Sequence, residues 1–332
     1  MTGLLTGPIL VSGCGSIGAR HLRNLASLGA GPLFVHDANE ERSRTVATEV
    51  GATALSSIAN APDLHAALIC TSTNHHLEPA RAALDRGAHL FIEKPIAATM
   101  EGVPELILDA ERAGRKVMIG FNLRFHPSLR RVKSLIDNRD IGRPLSARIQ
   151  FGQYLPNWHP WEDYRQGYSA RRALGGGIVL DAVHEFDYAR WLLGEVRTVT
   201  GMAGRVGALE IDTEDVGAFV LRHDSGAISE IHVDYLQRAY ARTCDVIGTD
   251  GTIQWNWSLR NVRCYRAGLG VWEDYPEPSG YDVNDSYVEE LRAFFGAIDG
   301  APAPVDGHAG ARVLAIALAA KEAAMSGRAI DV

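Results

Sequence analysis

The sequence predicts an α/β chain in two parts: a doubly wound parallel sheet over residues 1–120, then an α+β domain on a mainly antiparallel sheet over 121–332. Three observations predict this. Short apolar strands alternate with amphipathic helices as far as Gly120, the alternation then stops, and strand-like segments with tight-turn residues dominate residues 196–265. A length of 332 residues suits two domains of ordinary size.

The first strand organises the rest. Ile9-Leu10-Val11 enters the glycine pattern Gly13-Cys14-Gly15-Ser16-Ile17-Gly18 and leaves as an amphipathic helix, with Ile17, Leu22, Leu25 and Leu28 at helical spacing and Gly29 as its C-cap. In such a strand, turn and helix, Gly13 permits the tight turn, Gly15 lets the backbone approach a pyrophosphate and Gly18 lets the helix pack on the strand. The helix N-terminus, beginning at Ser16 and Ile17, offers free N–H donors and positive dipole to an anion. A second apolar run, Leu33-Phe34-Val35, ends in His36-Asp37, and an acidic residue there accepts hydrogen bonds from a ribose diol. The expected cofactor is NAD. Asp37 would repel the 2′-phosphate of NADP, although Arg42, five residues on, is placed to compensate.

A helix over 39–50 ends at Gly51, and 66–70 reads as a buried strand. A helix over 76–86 is capped by Gly87, and the strand over 88–93 runs straight into Glu93-Lys94-Pro95. A helix over 103–113 with Gly114 behind it and a strand over 117–120 complete the first domain. Ligands bind at the carboxyl ends of strands in such a sheet, so the loops holding Gly13, Asp37, Thr71-Ser72-Thr73-Asn74, Lys94 and Asn122 open onto one edge. Beyond Gly120 come a helix over 127–137 and a strand over 146–152. Hairpins are expected around His223-Asp224-Ser225-Gly226 and Thr249-Asp250-Gly251-Thr252, with helices over 181–193 and 285–298 on one face of the second sheet. The last helix, 311–325, is alanine-rich and nearly uncharged, which predicts burial and a bridge between the domains. Residues 216–221 are apolar throughout, so both faces of that sheet need cover, and a homodimer or homotetramer is expected.

Composition removes several classes of function. Apolar residues make up 46% and charged residues 22%, as in soluble globular proteins. The net charge of −7 opposes binding to nucleic acid, and no apolar run approaches a membrane span. Cys14, Cys70, Cys244 and Cys264 show no C-x-x-C spacing, so neither a disulfide framework nor a metal centre is expected, and the chain reads as cytoplasmic.

Two constellations carry chemistry. A lysine at a parallel strand end, Lys94, is unusual because cores seldom tolerate an isolated ammonium; the alternative is that it pairs with Glu93 or reaches solvent. Behind Gly175-Gly176-Gly177, Asp181 and His184 stand three apart in what should be one helical turn. An imidazole beside a carboxylate is a proton carrier near neutral pH, although a core histidine satisfied by that carboxylate fits the same pattern. The glycines suggest close approach of a ligand or another backbone.

The glycine loop extended to Gly18-Ala19-Arg20-His21, Cys70-Thr71 with His76 following, Glu93-Lys94-Pro95, Gly120-Phe121-Asn122-Leu123-Arg124-Phe125 and Gly175-Gly176-Gly177 occur in the order of the Gfo/Idh/MocA oxidoreductases, which the chain resembles over nearly its whole length. The resemblance implies an N-terminal Rossmann domain and cofactor contacts from Gly13, Gly15, Ser16, Ile17, Gly18, Asp37, Thr71, Ser72, Asn74, His76, Glu93, Lys94 and Asn122. It implies that Lys94 touches the substrate hydroxyl and the nicotinamide ribose, while Asp181 and His184 hold the reacting carbinol. Family members commonly space that pair four apart, where this chain has three. Arg124, Tyr154, Trp158 and Arg165 join the expected substrate site: Tyr154, Trp158 and Trp161 stack on sugar faces, and Arg165, Arg171 and Arg172 offer guanidinium forks to a phosphorylated or nucleotide-linked sugar, unless they pair with Glu162 and Asp163. The expected activity is hydride transfer between NAD(H) and a carbinol or ketone carbon of a sugar or cyclitol. The alternatives are a glycoside hydrolase that oxidises its sugar transiently and a non-catalytic dinucleotide sensor.

Overall fold

The computed structural model describes residues 6–332 apart from 159 and 161. In chain order the first elements are β1 (Thr6–Ser12), α1 (Ser16–Ser27), β2 (Gly31–His36), α2 (Glu40–Val50), the short β3 (Thr53–Ala54), β4 (Ala66–Ile69), α3 (Leu77–Leu84), β5 (His89–Glu93), α4 (Val103–Arg112) and β6 (Val117–Gly120). All six strands run parallel in the order β3-β2-β1-β4-β5-β6, the Rossmann arrangement. β4, β5 and β6 are buried at every position, which is why they read as continuous apolar runs rather than alternating ones.

At the amino end of β5, His89 accepts the Lys116 backbone N–H at Nδ1 (2.9 Å), with the Arg115 guanidinium 3.4 Å from Nε2. Burial first, and then these cations, push its pKa down from 6.5 to about 4. The unfolded chain therefore binds the proton more readily than the folded one. The contribution is fully present above about pH 6.5 and is lost as pH falls towards about 4. The melting temperature should fall from about pH 7 to about pH 5, and fall less in His89→Gln, whose amide oxygen still accepts. Equal slopes in both proteins would contradict this.

The chain continues with α5 (Pro127–Asp137), β7 (Pro144–Gly152), α6 (Ile178–Asp181), α7 (Val183–Leu193), β8 (Val196–Gly204), β9 (Val216–His223), β10 (Ile228–Asp234), β11 (Ala241–Gly248), β12 (Gly251–Asn256), β13 (Asn261–Arg266) and β14 (Val271–Pro276). It ends with α8 (Val283–Ile298), α9 (Gly307–Ser326) and β15 (Ile330–Asp331). The second sheet has nine strands in the order β14-β13-β12-β11-β7-β10-β9-β8-β15. β7 and β10 pair in parallel, and the other neighbours pair antiparallel. Both expected hairpins form, β9 with β10 and β11 with β12.

Helices α5, α6 and α7 pack against this sheet, whose inward residues include Phe219, Leu221, Ile231, Val246 and Trp255. The opposite face differs from the expectation. Gly217, Phe219 and Leu221 of β9 are buried, while Ala218, Val220 and Arg222 are exposed, so one face of the apolar run carries no cover among the described residues.

The described chain forms two compact units, and α8 lies in a different one from that expected. One unit holds the residues up to Asn122 together with Asn284–Leu314, and the other holds Leu123–Val283 and Ala315–Val332. Helix α8, expected on the second sheet, thus belongs with the parallel one. Asn284 and Asn24 exchange amide hydrogen bonds of 2.9 and 3.2 Å, Asn122 Nδ2 donates to Ser286 Oγ (2.9 Å), and Phe294 packs edge-on against Phe91. The start of α9 lies equally close to β6: a Cβ on Gly310 would stand 2.2 Å from the Ile119 side chain. The division falls within α9, between Leu314 and Ala315. Among the described residues no helix is long and apolar enough to cross a membrane.

Candidate active site

The glycine loop is shaped by close backbone approach. A Cβ on Gly18 would stand 1.8 Å from the Gly13 carbonyl oxygen and 3.2 Å from the Cys70 Cβ, so α1 can lie on the loop only with glycine there. At Gly15 a Cβ would meet nothing within 4 Å, which leaves open space over the loop at the head of α1. Gly15 is the N-cap, no described side chain caps this helix, and Ser16 is exposed. Uncapped N–H donors beside open space fit the pyrophosphate of a dinucleotide.

Asp37 sits at the end of β2 and is tied to the same loop. Its Oδ2 accepts the Cys14 N–H at 2.6 Å, its Oδ1 accepts the Asn39 N–H at 2.8 Å, and the Arg42 guanidinium stands 3.7 Å away. The remaining lone pairs of the carboxylate suit a ribose diol. Cys14 is an inert part of this loop, its thiol pushed up to about 12 by burial and by Asp37.

Several residues expected to contact cofactor also make hydrogen bonds within this edge. Thr71 Oγ1 donates to the His75 carbonyl (2.8 Å), and Ser72 Oγ pairs with His75 Nδ1 (2.9 Å); Asn74 is exposed. His76 is buried, with Nδ1 at 2.9 Å from the Pro95 carbonyl and Nε2 at 3.0 Å from that of Thr71, and burial lowers its pKa. It therefore ties the loop after β4 to the residue following Lys94. Glu93 is directed inward: its Oε1 lies 2.7 Å from His21 Nε2, and its Oε2 accepts the Lys94 backbone N–H at 3.2 Å. Asn122 spends its amide on Ser286. Lys94 stands partly exposed at the carboxyl end of β5, on the same edge as the glycine loop and Asp37.

In the second unit the helix expected over 181–193 is broken at Ala182 (φ −88°, ψ 28°), so Asp181 ends α6 and His184 lies in the first turn of α7. The shared helical face does not form. Asp181 is buried and accepts three hydroxyls, from Tyr168, from Ser169 (2.5 Å) and from Tyr235 (2.6 Å). Burial and the neighbouring carboxylate push the Tyr235 phenol well up, which keeps it a donor. His184 is partly exposed. The upstream glycines are explained by packing, since a Cβ on Gly176 would stand 2.1 Å from the Tyr168 carbonyl oxygen and one on Gly177 2.5 Å from the Glu214 carboxylate.

Of the expected substrate residues, Arg124 turns its fork on Asp187, donating from Nε (2.8 Å) and an Nη (2.7 Å), and lies 5.2 Å from the Trp191 ring. Arg165 pairs at 2.8 Å with Asp163 and at 3.3 Å with Glu210, so the pairing alternative describes it better than a phosphate fork does. Arg171 donates to the Arg165 carbonyl, and Arg172 to Asp212. Trp158 is half-buried, its Nε1 donating to the Gln153 carbonyl (3.2 Å) and its ring edge-on to Tyr235 at 5.3 Å. Tyr154 carries the Arg238 guanidinium 3.7 Å from its ring centre. Trp161 lies outside the described residues. All four cysteines are buried free thiols.

The sequence reading missed His21, Tyr168, Ser169 and Tyr235 as parts of the site. His21 follows Ile17 by four residues and so falls on the buried stripe of α1, which is the signal that finds it. The three hydroxyls around Asp181 carry no such local signal.

Residues 8–121 match the family model described as "Oxidoreductase family, NAD-binding Rossmann fold", and residues 129–254 match "GFO/IDH/MocA C-terminal domain". The chain is 30% identical to myo-inositol 2-dehydrogenase of Thermotoga maritima, over 96% of this chain and 97% of that one. It is 28% identical to 1,5-anhydro-D-fructose reductase of Ensifer adhaerens, with 93% of each covered. Its fold matches that of a levoglucosan dehydrogenase solved with NADH, with TM-score 0.89, 24% identity, and 98% and 99% of the two chains covered.

Proposed function

The chain belongs to the Gfo/Idh/MocA oxidoreductases, with an NAD-binding Rossmann domain, and from that membership we propose that it transfers a hydride between NAD(H) and a carbinol or ketone carbon of a neutral cyclitol or sugar. The observation that carries this reading is the common strand edge of the glycine loop, Asp37 and Lys94. When bound, NAD supplies the hydride acceptor for the oxidation. The N–H groups at the head of α1 hold its pyrophosphate and Asp37 accepts from its ribose diol. Lys94 donates to the reacting oxygen and stabilises the charge that develops as the proton leaves. His184 takes that proton. Tyr154 and Trp158 offer ring faces to the substrate. Asp181, saturated with hydroxyl donors, holds the 168–169 segment and Tyr235 rather than moving a proton.

A neutral substrate is supported by the pairing of Arg165 with Asp163 and Glu210, which leaves it poorly disposed to a phosphate. The Thermotoga maritima relative is named for such a cyclitol. The four buried free thiols suit a reducing, cytoplasmic setting.

Preference for NAD over NADP follows from Asp37. NADH should bind more tightly than NADPH in a fluorescence titration, by roughly tenfold or more, and Asp37→Ser should narrow the gap because Arg42 then faces the 2′-phosphate unopposed. Tighter NADPH binding by the wild-type chain would contradict the assignment of Asp37. We assign the uncovered face of the second sheet to a homo-oligomer, a dimer or a tetramer. Its support is the mixed row of Ala218, Val220, Ile228 and Glu230 left exposed on β9 and β10. Light scattering at micromolar concentration should give a multiple of the 36.0 kDa chain mass; a clean monomer would contradict it.

A further inference from the structure

We infer that His21 and Glu93 are positioning residues for Lys94, tying the helix that heads the cofactor loop to the backbone of the lysine. This rests on the reading that Lys94 does chemistry. His21 is fully buried (0% exposed) and Glu93 nearly so (7%), and Nε2 of the one lies 2.7 Å from Oε1 of the other. A carboxylate only accepts, so Nε2 carries the proton. The second Glu93 oxygen accepts the Lys94 backbone N–H at 3.2 Å. One side chain thus spans from the second turn of α1 to the peptide that launches the Lys94 side chain.

The surroundings fix this geometry. Phe91 and Tyr287 meet the imidazole edge-on at 5.2 and 5.8 Å, and a Cβ on Gly120 would press on the Glu93 carboxylate at 3.2 Å. Glu290 brings a further buried carboxylate, with donor atoms of His21, Glu93 and Glu290 all within 4.8 Å of one another. The 2.7 Å separation is that of a short hydrogen bond to a carboxylate. Displacing the Lys94 backbone by even about 1 Å would move the ammonium off the reacting oxygen, an error that costs on the order of 10²-fold in rate.

The test is a double-variant cycle on the full chain, reading kcat, KM for NAD and melting temperature. Glu93→Gln and His21→Leu should each lower kcat by roughly tenfold or more, with KM for NAD little changed, and His21→Gln, which restores a side-chain N–H, should recover part of the loss. In a Lys94→Ala background, Glu93→Gln should add almost nothing, because a residue that acts through Lys94 has nothing left to position. Equal fold-losses in both backgrounds would overturn the inference, since a merely structural pair lowers rate whether or not Lys94 is present. Near-wild-type kcat in Glu93→Gln would overturn it too. Where His21→Leu does not fold, the nearly isosteric Glu93→Gln carries the test. Stoichiometric metal retained by the purified chain and lost in His21→Gln would overturn it in favour of a metal on the same three side chains. The underlying reading fails separately, through near-normal kcat in Lys94→Ala alone.

Discussion

Lys94→Ala is expected to cut kcat by roughly 10²-fold or more while the affinity for NAD changes little. The ammonium contributes chiefly where charge develops on the reacting oxygen, and an interaction that grows in the transition state is lost from kcat rather than from cofactor binding. Lys94→Arg should not restore the rate. Arginine keeps the charge, but its larger planar fork cannot place a single donor on the reacting oxygen without displacing the substrate. The competing reading, in which Lys94 is only an ion-pair partner of Glu93, must accommodate a Glu93 carboxylate already engaged by His21 and by the Lys94 backbone N–H. Under that reading Lys94→Ala lowers the melting temperature and leaves turnover per folded molecule intact. Measuring kcat, NAD affinity and melting temperature on one preparation separates the two.

The second large effect is expected in the glycine loop, where two substitutions of the same kind should behave differently. Gly18→Ala would place a Cβ 1.8 Å from the Gly13 carbonyl oxygen, a backbone atom that cannot rotate aside. Overpacking of this sort costs about 1–3 kcal/mol or more, and because the displaced loop is the cofactor cradle, both melting temperature and NAD affinity should fall. Gly15→Ala adds a Cβ that meets nothing within 4 Å, at a backbone conformation (φ −66°, ψ −170°) open to alanine. Its melting temperature should stay near that of the wild type while NAD affinity drops by about 10²-fold, the methyl standing where the pyrophosphate approaches. Undiminished NAD affinity in Gly15→Ala would show that the open space over the loop is not the phosphate site.

What could be read from the residues was what is local. Apolar runs such as Ala66-Ala67-Leu68-Ile69 announce buried parallel strands, and the spacing of Gly13, Gly15, Gly18 and Asp37 announces a loop and the carboxylate beside it, because each signal lies within one strand or one strand–helix–strand unit. The membership of α8 was not legible. Its amphipathic pattern says that one face is buried, but the partners that receive it, among them Asn24, Phe91 and Asn122, lie far away along the chain, Asn24 at 260 residues from Asn284. The break at Ala182 was hidden for a related reason: Asp181 is held out of helical register by three hydroxyls on two other segments, Tyr168 and Ser169 on one and Tyr235, 54 residues away, on the other. Arginine use was ambiguous in the same way. Asp187, which holds Arg124, lies 63 residues from it, whereas the Asp163–Arg165 pair sits within one short turn, where neighbouring residues alone suggest the pairing.

Hydride transfer itself is tested most directly by incubating the purified full chain with NAD and a panel of neutral cyclitols and sugars, myo-inositol among them, and following the absorbance of reduced nicotinamide. NADH should accumulate with at least one polyol, in proportion to substrate consumed, and its rate should fall by roughly 10²-fold in Lys94→Ala. A chain that binds NAD but forms NADH with no member of the panel, or that turns a glycoside over without added cofactor, would contradict the assignment as a dehydrogenase.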